Sequence, residues 1–248
     1  MGLPILFIVP FLGTLMGSAS VFVFRSGIGE KTGKAITGFA AGVMIAASVW
    51  SLLLPAIASS SYITAALGFL SGIVLLLALD LLVPHLHATS DKAEGKPSRL
   101  SRSALLMLSV TLHNIPEGMA VGAAAAATGS ISYASALALS LGIALQNFPE
   151  GLVVSMPLYK EGKSRKRAFI EGTISGAVEP VGGILAFIFV SFFSSFLPFL
   201  LSLAAGAMFY VVVEELIPEA SEGEHSNIGT IGAALGFAAM MILDGIFG

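Results

Sequence analysis

Cysteine is missing altogether from the 248 residues. Thiolate zinc sites, iron–sulfur clusters, thiol redox chemistry and disulfide scaffolds are therefore excluded. Charge is scarce as well: Asp, Glu, Lys and Arg make up 11% of the chain, against about 25% in a soluble domain. A chain with so little polar surface is neither an ordinary water-soluble fold nor a disordered segment. It also lacks the basic face a nucleic-acid binder needs, and no nucleic-acid partner is expected. What remains is apolar: 56% of the residues, gathered in blocks separated by short polar breaks.

Eight blocks are long enough to cross about 30 Å of hydrocarbon as helices: 3–24, 35–57, 62–83, 103–127, 133–158, 168–194, 199–217 and 228–247. They do not alternate polar with apolar residues, so spanning strands are excluded and helices are the only solution. The expected fold is an all-α integral membrane protein of eight spans, with 1–248 as a single polytopic membrane domain. Span 1 lacks a basic leading region, which makes it a retained helix rather than a signal peptide. The start Met1-Gly2-Leu3-Pro4-Ile5-Leu6 has no Ser or Thr at its sixth position, which argues against myristoylation.

Orientation follows from the basic residues. All twelve Lys and Arg fall in loops 1, 3 and 5: Arg25 to Lys34, Lys92 to Arg102, and Lys160 to Arg167. By the positive-inside rule those loops are cytoplasmic, and both termini face outward. The run at 160–167 is a topology anchor in this setting rather than a nucleic-acid patch.

Two stretches recur. Ala40-Ala41-Gly42-Val43-Met44 of span 2 is echoed by Ala204-Ala205-Gly206-Ala207-Met208 of span 7, and Ala65-Ala66-Leu67-Gly68-Phe69 of span 3 is repeated as Ala233-Ala234-Leu235-Gly236-Phe237 in span 8. Their common order relates spans 1–3 to spans 6–8 with opposite topology. The central pair, spans 4 and 5, repeat each other: His113-Asn114-Ile115-Pro116-Glu117-Gly118 matches Gln146-Asn147-Phe148-Pro149-Glu150-Gly151. Inverted repeats around a midplane site are typical of secondary transporters.

The same two motifs carry the polar residues at mid-depth. Glu117 and Glu150, with Glu179 of span 6, are carboxylates far inside apolar helices, and no Lys or Arg lies within any of the eight blocks. Their burial costs several kcal/mol unless compensated; protons, a metal ion, or both would do it. Helical spacing puts His113, Asn114 and Glu117 on one face, and Gln146, Asn147 and Glu150 on the corresponding face of span 5. With Glu179 these gather more donors than the four a single zinc ion takes, which suggests two adjacent sites sharing carboxylates. Asn114 and Asn147 also suit simple helix-to-helix bridging. Pro116 and Pro149 each delete a helical hydrogen bond, so an unwound, hydrated midsection is expected there. The stretch from Gly122 to Ala127 suits close helix packing.

At these residues the sequence resembles the ZIP family of divalent-metal transporters. The likeness rests on the two hexapeptides above and on Val178-Glu179-Pro180-x-Gly182-Gly183 in span 6, and Leu216-Ile217-Pro218-Glu219-Ala220 points to the GufA-type branch. The resemblance implies zinc as the principal substrate, with iron, manganese and cadmium as further ones, moved toward the cytoplasm; metal is cargo here and no catalytic cofactor is involved. It implies a first site of His113, Glu117, Gln146 and Glu150, and a second of Asn114, Glu117, Asn147, Glu150 and Glu179. It also implies a homodimer in the plasma (inner) membrane, and an elevator-like motion of spans 1, 4, 5 and 6 against the others. Many members have His where Gln146 stands and some have Asp where Asn147 stands. Two divalent ions against three carboxylates leave a net positive charge.

Other polar residues lie toward the span ends. Asp244 is placed near the outer face; Asp80, His85 and His87 near the inner end of span 3; and Glu214, Glu215, Glu219, Glu222, Glu224 and His225 near the inner end of span 7. They form either a cytoplasmic funnel or ordinary solvated loops. An intramembrane metalloenzyme is the rival from another class, but it would want two His flanking a Glu base on one helix, and no His-Glu-x-x-His occurs. Proton-driven export would use the same residues in the opposite direction.

Overall fold

The computed structural model describes residues 2–24, 28–86, 93–129, 132–223 and 226–247. Among them, eight helices are long and apolar enough to cross a membrane: α1 (Leu3–Phe22), α2 (Glu30–Ser59), α3 (Tyr62–Leu82), α4 (Arg102–Ala126), α5 (Tyr133–Lys160), α6 (Arg165–Phe192), α7 (Ser194–Ser221) and α8 (Ile228–Phe247). They match the eight apolar blocks, because each block is the length of chain the hydrocarbon must accommodate. Several helices run further than the apolar pattern, since a helix does not have to stop where the hydrocarbon does. Thus α2 starts at Glu30, not 35, and carries Lys34 on its first turns, paired with Glu30 at 2.7 Å.

Four starts are capped by serine side chains that accept a backbone N–H three residues on: Ser61 from Thr64, Ser101 from Ala104, Ser132 from Ser135 and Ser164 from Arg167. Glycine then sets which helices touch. A methyl group on Gly42 would stand 2.0 Å from the Ala233 carbonyl oxygen, one on Gly72 2.0 Å from that of Leu203, one on Gly17 2.0 Å from that of Phe148, and one on Gly122 2.1 Å from that of Gly183. The close pairs are therefore α2 with α8, α3 with α7, α1 with α5 and α4 with α6. Without a hydrophobic force between helices in lipid, such backbone approach is what holds them together. The expected close packing of Gly122 is found.

The outer helices α3 and α8 bury 28% and 17% of their most apolar stretch, whereas α4 and α5 bury 67%. The two helices carrying the repeated motifs are thus the central ones.

The expected unwinding at Pro116 and Pro149 does not occur: α4 and α5 run through both. One proline removes one hydrogen bond, and the flanking turns and packed neighbours keep the rest of the helix intact. Irregular backbone lies elsewhere. A break at Ala177 divides α6 into Arg165–Gly176 and Val178–Phe192. Wide π-turns interrupt α2 at Ser48–Leu53 and α7 at Val212–Leu216.

Candidate metal centre

Three helix segments bring the polar residues of the motifs into the buried centre. On α4, His113, Asn114 and Glu117 are 5%, 0% and 0% exposed; on α5, Gln146, Asn147 and Glu150 are 0%, 0% and 8%; Glu179, in the first turn after the α6 break, is 2%. Gly118 allows this meeting, since a methyl group there would stand 2.3 Å from the Glu179 carbonyl oxygen.

The side chains are hydrogen-bonded across the helices. Gln146 Nε2 donates to Glu117 Oε1 at 2.5 Å. Asn147 Nδ2 donates to Glu179 Oε2 at 2.6 Å and to the Pro10 carbonyl at 3.3 Å. Asn114 Nδ2 donates to the Ser175 carbonyl of α6 at 3.1 Å. Both asparagines therefore bridge helices through their nitrogens, which leaves their oxygens for another use.

Five buried oxygens here have no hydrogen-bond partner among the described residues: Asn114 Oδ1, Glu117 Oε2, Gln146 Oε1, Asn147 Oδ1 and Glu150 Oε2. Orphaned buried acceptors are rare and costly. All of these belong to the two repeated hexapeptides, and what they lack is a donor. Among the described residues, no three His, Asp or Glu side chains are already gathered at metal-ligand spacing. The donors stand in hydrogen-bonded pairs rather than in a finished cage.

One residue at the centre is not in the sequence-derived set. Glu215 of α7 places Oε2 2.9 Å from His113 Nδ1, with a side chain only 10% exposed. It lies in the π-turn at Val212–Leu216, which widens the helix by a residue and redirects the side chains that follow. From sequence it belongs to an acidic crowd at the helix end. A small cavity of about 30 Å³, lined by Thr37, His113, Glu150, Glu215 and Glu219, opens beside this contact. Glu219 also lines a larger cavity of about 410 Å³ with Glu30, Lys34 and Glu222. At the other end of the molecule a cavity of about 330 Å³ is lined by Trp50, Ser51, Ser135, Leu139 and Asp244. There Ser51 Oγ donates to Asp244 Oδ1 at 2.8 Å.

Asp80 and His85 are not solvated loop residues. Both are buried; Tyr210 donates to Asp80 Oδ2 at 2.5 Å and His85 Nε2 stands 3.6 Å from Asp80 Oδ1. His87, Glu224 and His225 lie outside the described residues.

A model of a known family, ZIP zinc transporter, matches residues 85–244. The chain belongs to the ZIP zinc-transporter family. Zinc transporter ZIP11 of Homo sapiens is 36% identical over 318 aligned positions, covering 93% of each chain. Zinc transporter ZIPB of Bordetella bronchiseptica is 38% identical over 247, covering 96% of this chain and 79% of the relative. Zinc transporter GufA of Myxococcus xanthus is 34% identical over 185, covering 75% and 72%, in agreement with the branch expected from the motifs. ZIP proteins are transporters and not enzymes, and eight apolar helices make this member an integral membrane protein.

Proposed function

We propose that this ZIP protein carries divalent metal ions, zinc chiefly and also iron, manganese or cadmium, toward the cytoplasm through a binuclear site on α4, α5 and α6. The observation that carries the proposal is the set of five buried oxygens without a donor, all on the two repeated motifs. Two bound cations would satisfy all of them between them. The first ion takes His113, Glu117, Gln146 and Glu150; the second takes Asn114, Glu117, Asn147, Glu150 and Glu179. Arrival of the first ion draws His113 away from Glu215. Glu215 then remains beside the site as a fourth carboxylate, which offsets the charge of two divalent ions. Amide and carboxylate oxygens with a single imidazole make a ligand set of modest selectivity among first-row metals.

Alternating access is proposed to arise from an inverted repeat. Exchanging α1–α3 with α6–α8, and α4 with α5, turns the pair α2–α8 into α7–α3 and the pair α1–α5 into α6–α4, all of which are close-packed. The π-turns agree as well: each begins four residues after the matching methionine, Met44 in α2 and Met208 in α7. Two helix groups result, α1, α4, α5 and α6 against α2, α3, α7 and α8, and their relative movement would expose the site to one side and then the other. The small cavity beside Glu150 and the larger one beyond Glu219 form the cytoplasmic path; the cavity at Asp244 lies on the entry side. The chain 1–248 is proposed to work as one polytopic membrane domain in the plasma (inner) membrane, as a homodimer within the lipid bilayer.

Zinc uptake into proteoliposomes tests the function, with and without an imposed pH gradient. Uptake that saturates with zinc supports the proposal; none at any gradient, or zinc efflux driven by protons, overturns the transport direction assigned here. Orientation has its own test. Single cysteines at exposed Ser61 and Ser195 are expected to react with an impermeant thiol reagent from outside, and one at exposed Ser164 only after permeabilisation. The opposite pattern inverts the topology.

A further inference from the structure

Helix α1 carries no charge, and of its three buried hydroxyls, Thr14, Ser18 and Ser20, Thr14 is the one hydrogen-bonded to a carboxylate. A threonine within a helix commonly turns its hydroxyl to the carbonyl four residues back, here Pro10. Thr14 does not. Its Oγ1 donates to Glu179 Oε1 at 3.0 Å, while the Pro10 carbonyl accepts from Asn147 Nδ2 at 3.3 Å. Since Asn147 Nδ2 also donates to Glu179 Oε2 at 2.6 Å, each oxygen of that carboxylate is held by a donor from a different helix.

The clamp is rigid. Methyl groups on Gly13 and Gly151 would stand 2.2 Å from the carbonyl oxygens of Ala144 and Thr14, which locks α1 against α5, and one on Gly176 would stand 2.7 Å from the Thr14 side chain. Thr14 thus sits in a gap that only glycine leaves, beside the break of α6 from which Glu179 projects.

We infer that Thr14 is a positioning residue for the second metal ion: through its hydrogen bond it fixes the carboxylate plane of Glu179, and so makes α1 part of a site to which it gives no ligand. The inference rests on the ligand set proposed above. Partners of this kind, which orient a ligand without touching the metal, typically contribute about 10- to 100-fold in metal affinity.

Calorimetric zinc titration of the purified full-length protein tests it. Thr14→Val replaces the hydroxyl with a methyl group of similar size. The second zinc is expected to bind about 10-fold or more weakly, with the first ion, on His113, Glu117, Gln146 and Glu150, held within about twofold of the parent. Thr14→Ser, which keeps the donor, is expected to restore the second affinity. If Thr14→Val lowers the yield of folded protein, Thr14→Ala removes the hydroxyl without crowding Gly176 and is scored the same way. Unchanged second-zinc affinity in Thr14→Val, when Glu179→Gln weakens it, overturns the role of Thr14 alone. Equal weakening of both ions that serine does not restore also overturns it, since that is general loosening. A parent that binds one zinc, or a Glu179→Gln variant indistinguishable from it, overturns the ligand set and the inference with it.

Discussion

Replacing Glu117 or Glu150 with alanine or glutamine is expected to abolish zinc uptake while the protein still inserts and folds. Both carboxylates are assigned to both ions, so either change removes a charged ligand from two sites at once, and a fall of at least about 100-fold is expected from the loss of even the weaker supporting interactions. The glutamine variants separate function from folding. Glu117 is wholly buried, and its Oε2 has no donor among the described residues. Glutamine keeps its volume and an oxygen to accept from Gln146 Nε2, and removes an ionisable group with no cation beside it. The metal-free variant is therefore expected to melt at or above the temperature of the parent, the usual trade between activity and stability at a site built to be incomplete. His113→Ala is expected to weaken zinc binding strongly, since it deletes the only imidazole at the centre among the described residues. Uptake retained at more than a tenth of the parent rate in Glu117→Gln or Glu150→Gln would remove these residues from the path.

The eight helices are legible in the sequence because they depend on one quantity, the length of apolar chain needed to cross hydrocarbon; that α4 and α5 are the most buried of them is a finding of the structure. The meeting of the two motifs is legible for a similar reason: spacing of three and four residues puts His113, Asn114 and Glu117 on one face whatever the neighbours do. What depends on backbone irregularity is not legible. Proline at 116 and 149 suggests unwinding, yet both helices continue; the break falls at Ala177, in the turn before Pro180, whose missing N–H leaves the Gly176 carbonyl without its helical partner. Glu215 escapes because a π-turn, not a residue type, carries it to His113. Its one clue is a second echo between the same helices, Leu53-Leu54-Pro55 of α2 and Leu216-Ile217-Pro218 of α7: the spacing from Met44 to Leu53 is one residue longer than from Met208 to Leu216. Such a mismatch inside a helix marks a place where the regular pitch is interrupted. The role of Asn147 is half legible. An amide at mid-depth suits both bridging and liganding, and the geometry gives its nitrogen to the first and leaves its oxygen for the second.

That division of labour sets the outcome of Asn147→Asp. The change removes the donor that Glu179 Oε2 accepts at 2.6 Å and the one the Pro10 carbonyl accepts at 3.3 Å, and puts a second carboxylate against the first. Losing a buried hydrogen bond to a charged group costs about 1.5–3 kcal/mol. In a chain of this size each kcal/mol moves the melting temperature by about 2–4 °C. The metal-free variant is therefore expected to melt several degrees below the parent. Zinc reverses the sign of the effect, because the same two carboxylates now share a divalent cation. The second ion is expected to bind more tightly than in the parent and to leave more slowly, since more charge-assisted contacts must break on release, so uptake slows as affinity rises. A competing event is capture of a proton between the two acids, which relieves their repulsion without metal. Zinc titrations at two pH values separate them. Metal capture gives a second tight zinc at both, whereas proton capture gives a second zinc that weakens as the pH falls and releases a proton on binding. A variant that matches the parent in melting temperature, stoichiometry and affinity would show that Asn147 neither restrains Glu179 nor faces the second ion, and the binuclear site would lose its α5 amide.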